Sequence, residues 1–145
     1  MQVDLYELTR DPVERILLRI AERVTGQGGR LLVVAADETL ARRIDSFLWD
    51  HDPAAFVPHG RAGGAGETRQ PILIADDVVP TNEAKSVALA DGIWREAALG
   101  FERAFHFFDE ATVDAARAAW RTLKDREGVT RNFWRQDGGK WVKVA

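Results

Sequence analysis

The run Arg30-Leu31-Leu32-Val33-Val34-Ala35-Ala36-Asp37 is apolar at every position between its two charged ends. A strand with one wet face alternates, so an unbroken aliphatic run reads as a strand buried on both faces, the habit of a largely parallel sheet. Asp37 stands where a helix needs its N-cap. Leu40, Ala41, Ile44, Phe47 and Leu48 then recur on one face of a helix from Glu38 to about Trp49. Strand therefore passes directly into helix.

The same grammar holds on either side. Val3 to Leu8 alternates as a strand. Thr9-Arg10-Asp11-Pro12 opens a helix, with Asp11 as cap and Pro12 at the first helical position. Val13, Ile16, Leu17, Ile20, Ala21 and Val24 give that helix its apolar stripe, and Gly26 with Gly28-Gly29 ends it. Gln70 to Ala75 is a second buried strand, Val78 to Glu83 a turn through Pro80 and Asn82, and Ser86 to Leu89 a further short strand. Ile93 to Leu99 reads as a short helix and Phe101 to Phe108 as a last strand. Asn132-Phe133-Trp134 and Lys140-Trp141-Val142 flank a turn signal at Asp137-Gly138-Gly139. The order predicts an α/β fold: an open, mostly parallel sheet with helices on both faces. Residues 1–145 read as one domain, with a basic, aromatic C-terminal extension from about residue 128.

The chain has 145 residues, 46% hydrophobic and 30% charged, which suits a single folded core. It has no Cys, which excludes disulfides and thiolate metal sites and fits a reducing compartment. Asp4 and Glu7 stand where a signal peptide would carry basic residues. No apolar stretch approaches the ~20 residues of a membrane span. The expectation is a cytoplasmic protein with no membrane contact. The net charge of −3 argues against a general nucleic-acid coat. From Arg117 to Lys143, however, eight basic residues face three acidic ones. The last third therefore suits an acidic partner, either a protein tail or nucleic acid.

An α/β sheet invites a nucleotide, but the motifs for one are missing. The turn Thr9-Arg10-Asp11-Pro12 has no Gly, and Asp11 would repel a phosphate. Gly60, Gly63, Gly64 and Gly66 precede a strand and no Gly-Lys-Ser/Thr follows. His51, His59 and His106 form no metal-binding pair; His106 reads as a satisfied core or edge residue, and His59 as a loop residue able to donate or accept at a surface. Asp76-Asp77 ends a strand, where two carboxylates could take Mg²⁺ or serve as an ordinary polar strand end. No cofactor, catalytic residue or metal ligand is expected.

Two stretches suit partners instead. In the final helix, Val113, Ala116, Trp120 and Leu123 make an apolar face. Arg117, Arg121 and Lys124 line up beside Trp120 as a cationic stripe. Asp109 or Thr112 can cap it, without the Glu of a full capping box. The stripe suits a ligand carrying a carboxylate and a large side chain, or it is a solvated face over a core Trp. Earlier, residues 50–69 form the longest loop. There Trp49, Phe56, Val57 and Pro58 either fold onto the core or present an apolar anchor.

Phe56-Val57-Pro58-His59-Gly60, preceded by Arg43-Ile44-Asp45-Ser46-Phe47-Leu48-Trp49, resembles the central signature of the chi subunit family of bacterial DNA polymerase III holoenzyme. Gln70 to Ile74 continues the match. Phe105 to Asp109, followed by Ala116-Arg117-x-x-Trp120-Arg121, completes it, with the likeness running from Val3 to about Lys124. The resemblance implies a nucleotide-binding-like fold without nucleotide binding, in an accessory subunit with no activity of its own. It implies association with the clamp loader and capture of the acidic, Phe-terminated C-terminal tail of single-stranded DNA-binding protein. Contact with DNA would be mainly indirect. Carried onto this chain, Arg117 and Arg121 would pair with tail carboxylates, Trp120 with Val113 would wall the apolar pocket, and Lys124 would add charge. Trp49 and Phe56 to His59 would face the psi subunit, or another partner such as a helicase or the clamp loader. The family's usual aromatic at position 120 is Tyr; here it is Trp.

Two other readings remain open on the residues: a nucleotide- or Mg²⁺-dependent enzyme at Asp76-Asp77, and direct single-stranded DNA binding by Arg131 to Lys143, with Trp134 and Trp141 stacking on bases.

Overall fold

The computed structural model describes residues 1–50 and 58–145. Among these residues eight strands form one sheet: β1 (Gln2–Glu7), β2 (Leu31–Val34), β3 (His59–Arg61), β4 (Ile72–Ala75), β5 (Ser86–Leu89), β6 (Arg103–Phe108), β7 (Thr130–Asp137) and β8 (Lys140–Lys143). Their spatial order is β3-β4-β2-β5-β6-β1-β7-β8, and every pairing is parallel except β7 with β8. The decisive run behaves as its composition requires: all four residues of β2 are buried between β4 and β5.

Helices α1 (Val13–Gly26) and α2 (Glu38–Asp50) cover one face of the sheet. Ile16, Leu17, Ile20, Ala41 and Ile44 pack there on Leu31, Val33, Ile72, Ile74 and Phe105. Helix α3 (Val113–Lys124) covers the other, where Ala116 and Leu123 meet Val3, Leu5, Leu32, Leu89 and Phe108. Odd and even positions of each strand thus feed different cores.

Several local expectations need correction. Asp11 does not cap α1. Pro12 occupies the cap position with no side-chain hydrogen bond, and the Asp11 carboxylate instead accepts from Gln136 Nε2 at 2.6 Å. Asp37 does act as a cap for α2, its Oδ1 accepting from the Thr39 amide at 3.2 Å. Gly28, at φ 79°, supplies the left-handed turn after α1. Within the expected loop, His59–Arg61 is a strand, three residues long and so without readable periodicity, paired with β4 at the sheet edge. The helix expected at 93–99 is a 3-10 turn at Glu96–Gly100. Phe101–Phe108 is not the last strand, because the segment after residue 128 adds β7 beside β1 and β8 beside β7. His106 is fully buried on β6, but both of its ring nitrogens lack a hydrogen-bond partner, so it is a core residue and not a satisfied one. Burial pushes its pKa down to about 4; the Asp91 carboxylate opposes that shift and Arg95 adds to it.

Candidate functional site

Helix α3 begins through a 3-10 turn, Glu110–Thr112, closed by a reciprocal cap. Asp109 Oδ1 accepts from the amides of Ala111 and Thr112 at 3.0 and 3.2 Å, and Thr112 Oγ1 accepts from the Asp109 amide at 3.0 Å. Thr therefore does the work expected of Glu, and the box is complete. Gly92 lies against this cap: a Cβ there would come within 2.6 Å of the Thr112 methyl carbon.

The cap fixes the rotation of α3. Ala116, Ala119 and Leu123 face the core, while Arg117, Arg121 and Lys124 point to solvent. Among the described residues no ion pair includes any of these three cations. Val113 and Arg117 line an open groove of about 840 Å³ against Leu8 and Thr9 at the end of β1. Glu7, Asp109 and Glu110 also line it; Glu7 is bonded to Arg135 at 3.0 Å and Asp109 is spent on the cap, while Glu110 is exposed at the rim.

Trp120 stands apart from that groove. It is half-buried, edge-on to Phe133 at 5.8 Å, and the Arg131 guanidinium lies 3.8 Å from its ring centroid. The same guanidinium donates to the Trp120 carbonyl. The cation beside Trp120 thus comes from β7 and not from the stripe. Arg131 is a neighbour of Trp120 that helical spacing could not reveal, since it joins α3 only through the fold.

The second expected surface is only partly visible. Trp49, at the end of α2, is 51% exposed, and Pro58 is exposed. His59 is buried, in place of the surface role expected of it, with Nε2 3.0 Å from Asp45 Oδ1 and its ring 4.8 Å from that of Trp49. It supports Trp49 from beneath. Phe56 and Val57 lie outside the described residues.

The amide cluster after β1, where a phosphate would sit, is occupied from within. The amides of Thr9, Arg10 and Asp11 converge on Gln136 Oε1 at 3.4, 3.1 and 3.2 Å, and Thr9 Oγ1 donates to the Gln136 carbonyl at 2.8 Å. Such a cluster of amides at a helix start is what an anion would use. Here a neutral carboxamide from β7 fills it. Asp76 and Asp77 are exposed beyond β4, and Asp77 Oδ1 accepts from the next amide, that of Val78, at 2.7 Å. Among the described residues no group of three His, Asp or Glu converges as a metal site, and no helix is long and apolar enough to cross a membrane.

A family model described as "DNA polymerase III chi subunit, HolC" matches residues 1–130. The chain belongs to the DNA polymerase III chi subunit family. It is 36% identical to DNA polymerase III subunit chi of Haemophilus influenzae over 63 residues, 43% of this chain and 44% of the relative. The likeness to subunit chi of Escherichia coli has the same identity and length and covers 43% of each. A probable subunit chi of Rickettsia prowazekii is 22% identical over 88 residues, 61% of this chain and 53% of that one. The matches thus span about half of these relatives or less. Among solved structures, the C-terminal domain of the DEAD-box protein Dbp5 superposes with a TM-score of 0.58 at 16% identity, covering 91% of this chain and 89% of that one. That likeness is one of fold. The family match ends at the first residue of β7, so nearly all of β7 and the whole of β8 lie beyond it.

Proposed function

We propose that this chi-family chain serves DNA replication as a non-catalytic adaptor, which links the clamp-loader assembly of DNA polymerase III to single-stranded DNA-binding protein by holding that protein's acidic C-terminal tail on α3. The carrying observation is the set of three solvent-facing cations, Arg117, Arg121 and Lys124, which form no ion pair among the described residues, with Arg117 lining the groove together with Val113 and Leu8. A tail with several carboxylates and a terminal aromatic ring matches both parts. The apolar end of the tail enters between Val113 and Leu8. Trp120 stands further along α3, with Arg131 over one face of its ring.

Trp49 and Pro58, braced by buried His59, are the described part of a second surface for psi, the clamp loader or a helicase. The Gln136 carboxamide in the amide cluster supports a role other than nucleotide turnover. The test is Arg117→Ala. Losing a charge-assisted hydrogen bond weakens binding by about 2 kcal/mol, or roughly thirtyfold. Tail-peptide affinity should fall by that much with an unchanged melting temperature; equal affinity in the variant would remove α3 as the site.

A further inference from the structure

The α1 side of the β1–β7–β8 edge carries a second aromatic and cationic surface, on the opposite side of the sheet from the α3 groove. Phe107, Tyr6 and Trp134 sit on three adjacent strands in one register row. Their rings stack across those strands, Phe107 on Tyr6 at 5.3 Å and Tyr6 on Trp134 at 6.4 Å, with interplanar angles of 18° and 13°. Trp141 of β8 stands edge-on to Tyr6 at 5.1 Å. Asp4, buried beneath, fixes the outer end of the row: its Oδ1 accepts from Trp134 Nε1 at 3.1 Å and from Asn132 Nδ2 at 3.0 Å, while Oδ2 takes the Arg103 guanidinium at 3.1 Å. The rings are therefore preorganised.

A cavity of about 270 Å³ opens above them, walled by Tyr6, Trp134, Trp141 and the α1 side chains Arg19 and Arg23. Lys143 pairs with Trp134 across β7 and β8, which puts it on the same face at the outer rim. Arg19, Arg23 and Lys143 are exposed, and no ion pair among the described residues includes them. Among the described residues the carboxylate beneath the rings is Asp4, and it has its donors already. The charges of the C-terminal segment itself are mostly spent elsewhere: Arg131 covers Trp120 and Arg135 pairs with Glu7, both on the α3 side. The cations beside the tryptophans come chiefly from α1.

We infer that this platform binds single-stranded DNA, with one base against Trp134 and Trp141 and the flanking phosphates on Arg19 and Arg23 at one rim and Lys143 at the other. Fixed rings bordered on two sides by free cations fit a flat base between two backbone charges. A run of carboxylates fits better the single row of cations on α3. The small cavity admits an unpaired ring and excludes a duplex. The choice of DNA follows from the polymerase family; Trp134, Trp141 and Lys143 lie beyond the family match while Tyr6, Arg19 and Arg23 lie within it, and the platform is independent of tail binding.

The test uses the full chain, since β7 is an interior strand and truncation before it would unpair β1. A fluorescent oligothymidylate of about 20 nucleotides is titrated at low salt by anisotropy, with duplex and acidic Phe-terminated peptide as competitors. Saturable binding that weakens at least about tenfold in Arg19→Glu/Arg23→Glu, and by less than about twofold in Arg117→Glu/Arg121→Glu, carries the inference. If the first variant melts early, quenching of tryptophan fluorescence by the oligonucleotide decides instead: it must shrink in Trp141→Phe. No binding at low salt, or equal loss in the α3 variant, would overturn the inference. So would peptide binding that Arg19→Glu/Arg23→Glu abolishes, which would make the platform a peptide site. None of these results depends on whether Arg117→Ala loses the tail.

Discussion

The two faces of β7 put the same kinds of side chain to opposite uses. On the α3 side, Arg131 lies over Trp120 and Arg135 reaches Glu7, so the strand's own cations are consumed and the free ones stand on the neighbouring helix. On the α1 side the strand presents Asn132, Trp134 and Gln136, all held by carboxylates or backbone at the root: Asn132 and Trp134 by Asp4, and Gln136 by Asp11 and the amides after β1. The free cations come from α1 and β8. An aromatic residue and a basic residue close in sequence are therefore not partners by default; the fold reassigns them. Charge left unpaired after that reassignment is what a ligand can use.

The largest effect should come from the root of the α1 side. Asp4→Ala removes a fully buried carboxylate that holds Arg103, Asn132 and Trp134. Breaking a buried charged network costs about 3–5 kcal/mol. Chemical denaturation should show that loss, and tail binding on α3 should persist wherever the variant is folded. Equal loss of both functions at a temperature where the variant is folded would mean that the two faces are one coupled unit.

Next comes His106 on the α3 side, a buried polar group that lacks the donors and acceptors Asp4 enjoys. Its folded pKa, lowered by burial to about 4, lies below the unfolded value of about 6.5. The unfolded chain then binds the extra proton between those values, so stability is full above pH 6.5 and falls as pH drops toward 4, by about 3 kcal/mol in all. Denaturant midpoints from pH 7 to 4 should follow that slope, and His106→Leu should flatten it. An unchanged slope in His106→Leu would assign the acid sensitivity to other groups.

Smaller effects separate the two aromatic sites. Gly92→Ala places a methyl against the Thr112 end of the α3 cap, at a left-handed φ of 77°. It should cost about 1–2 kcal/mol and fray the start of α3, seen as faster amide exchange at Ala111 and Thr112. Arg131→Ala removes the guanidinium from Trp120 and should lower stability by about 1 kcal/mol. It also uncovers the ring face, so peptide affinity should hold or rise. A drop in affinity would place Arg131 among the residues that bind the tail.

The sheet was legible in the chain because β2 and β4 are unbroken aliphatic runs and each helix carries a full apolar stripe. The exposed cations of α3 were equally legible, since three- and four-residue spacing survives any tertiary arrangement. What was not legible depended on distance along the chain. Gln136 meets the Thr9–Asp11 amides from more than 120 residues away. Arg131 reaches Trp120 only because β7 inserts beside β1. His59 looked like a loop residue because β3 has too few positions to show alternation. Asp11 looked like a cap because its local position is right; a stronger partner, Gln136, claims it in three dimensions.

The cations of α3, which form no ion pair among the described residues, and the groove beside them are proposed to hold an acidic tail ending in an aromatic residue. The most direct test of this proposal is a titration of the full chain with a fluorescent acidic peptide ending in Ile-Pro-Phe, against the same peptide without its final Phe, at two salt concentrations. Binding should be saturable, require the Phe and weaken as salt rises, because exposed charge pairs are screened. Binding indifferent to the Phe, or none at high micromolar protein, would contradict the proposal.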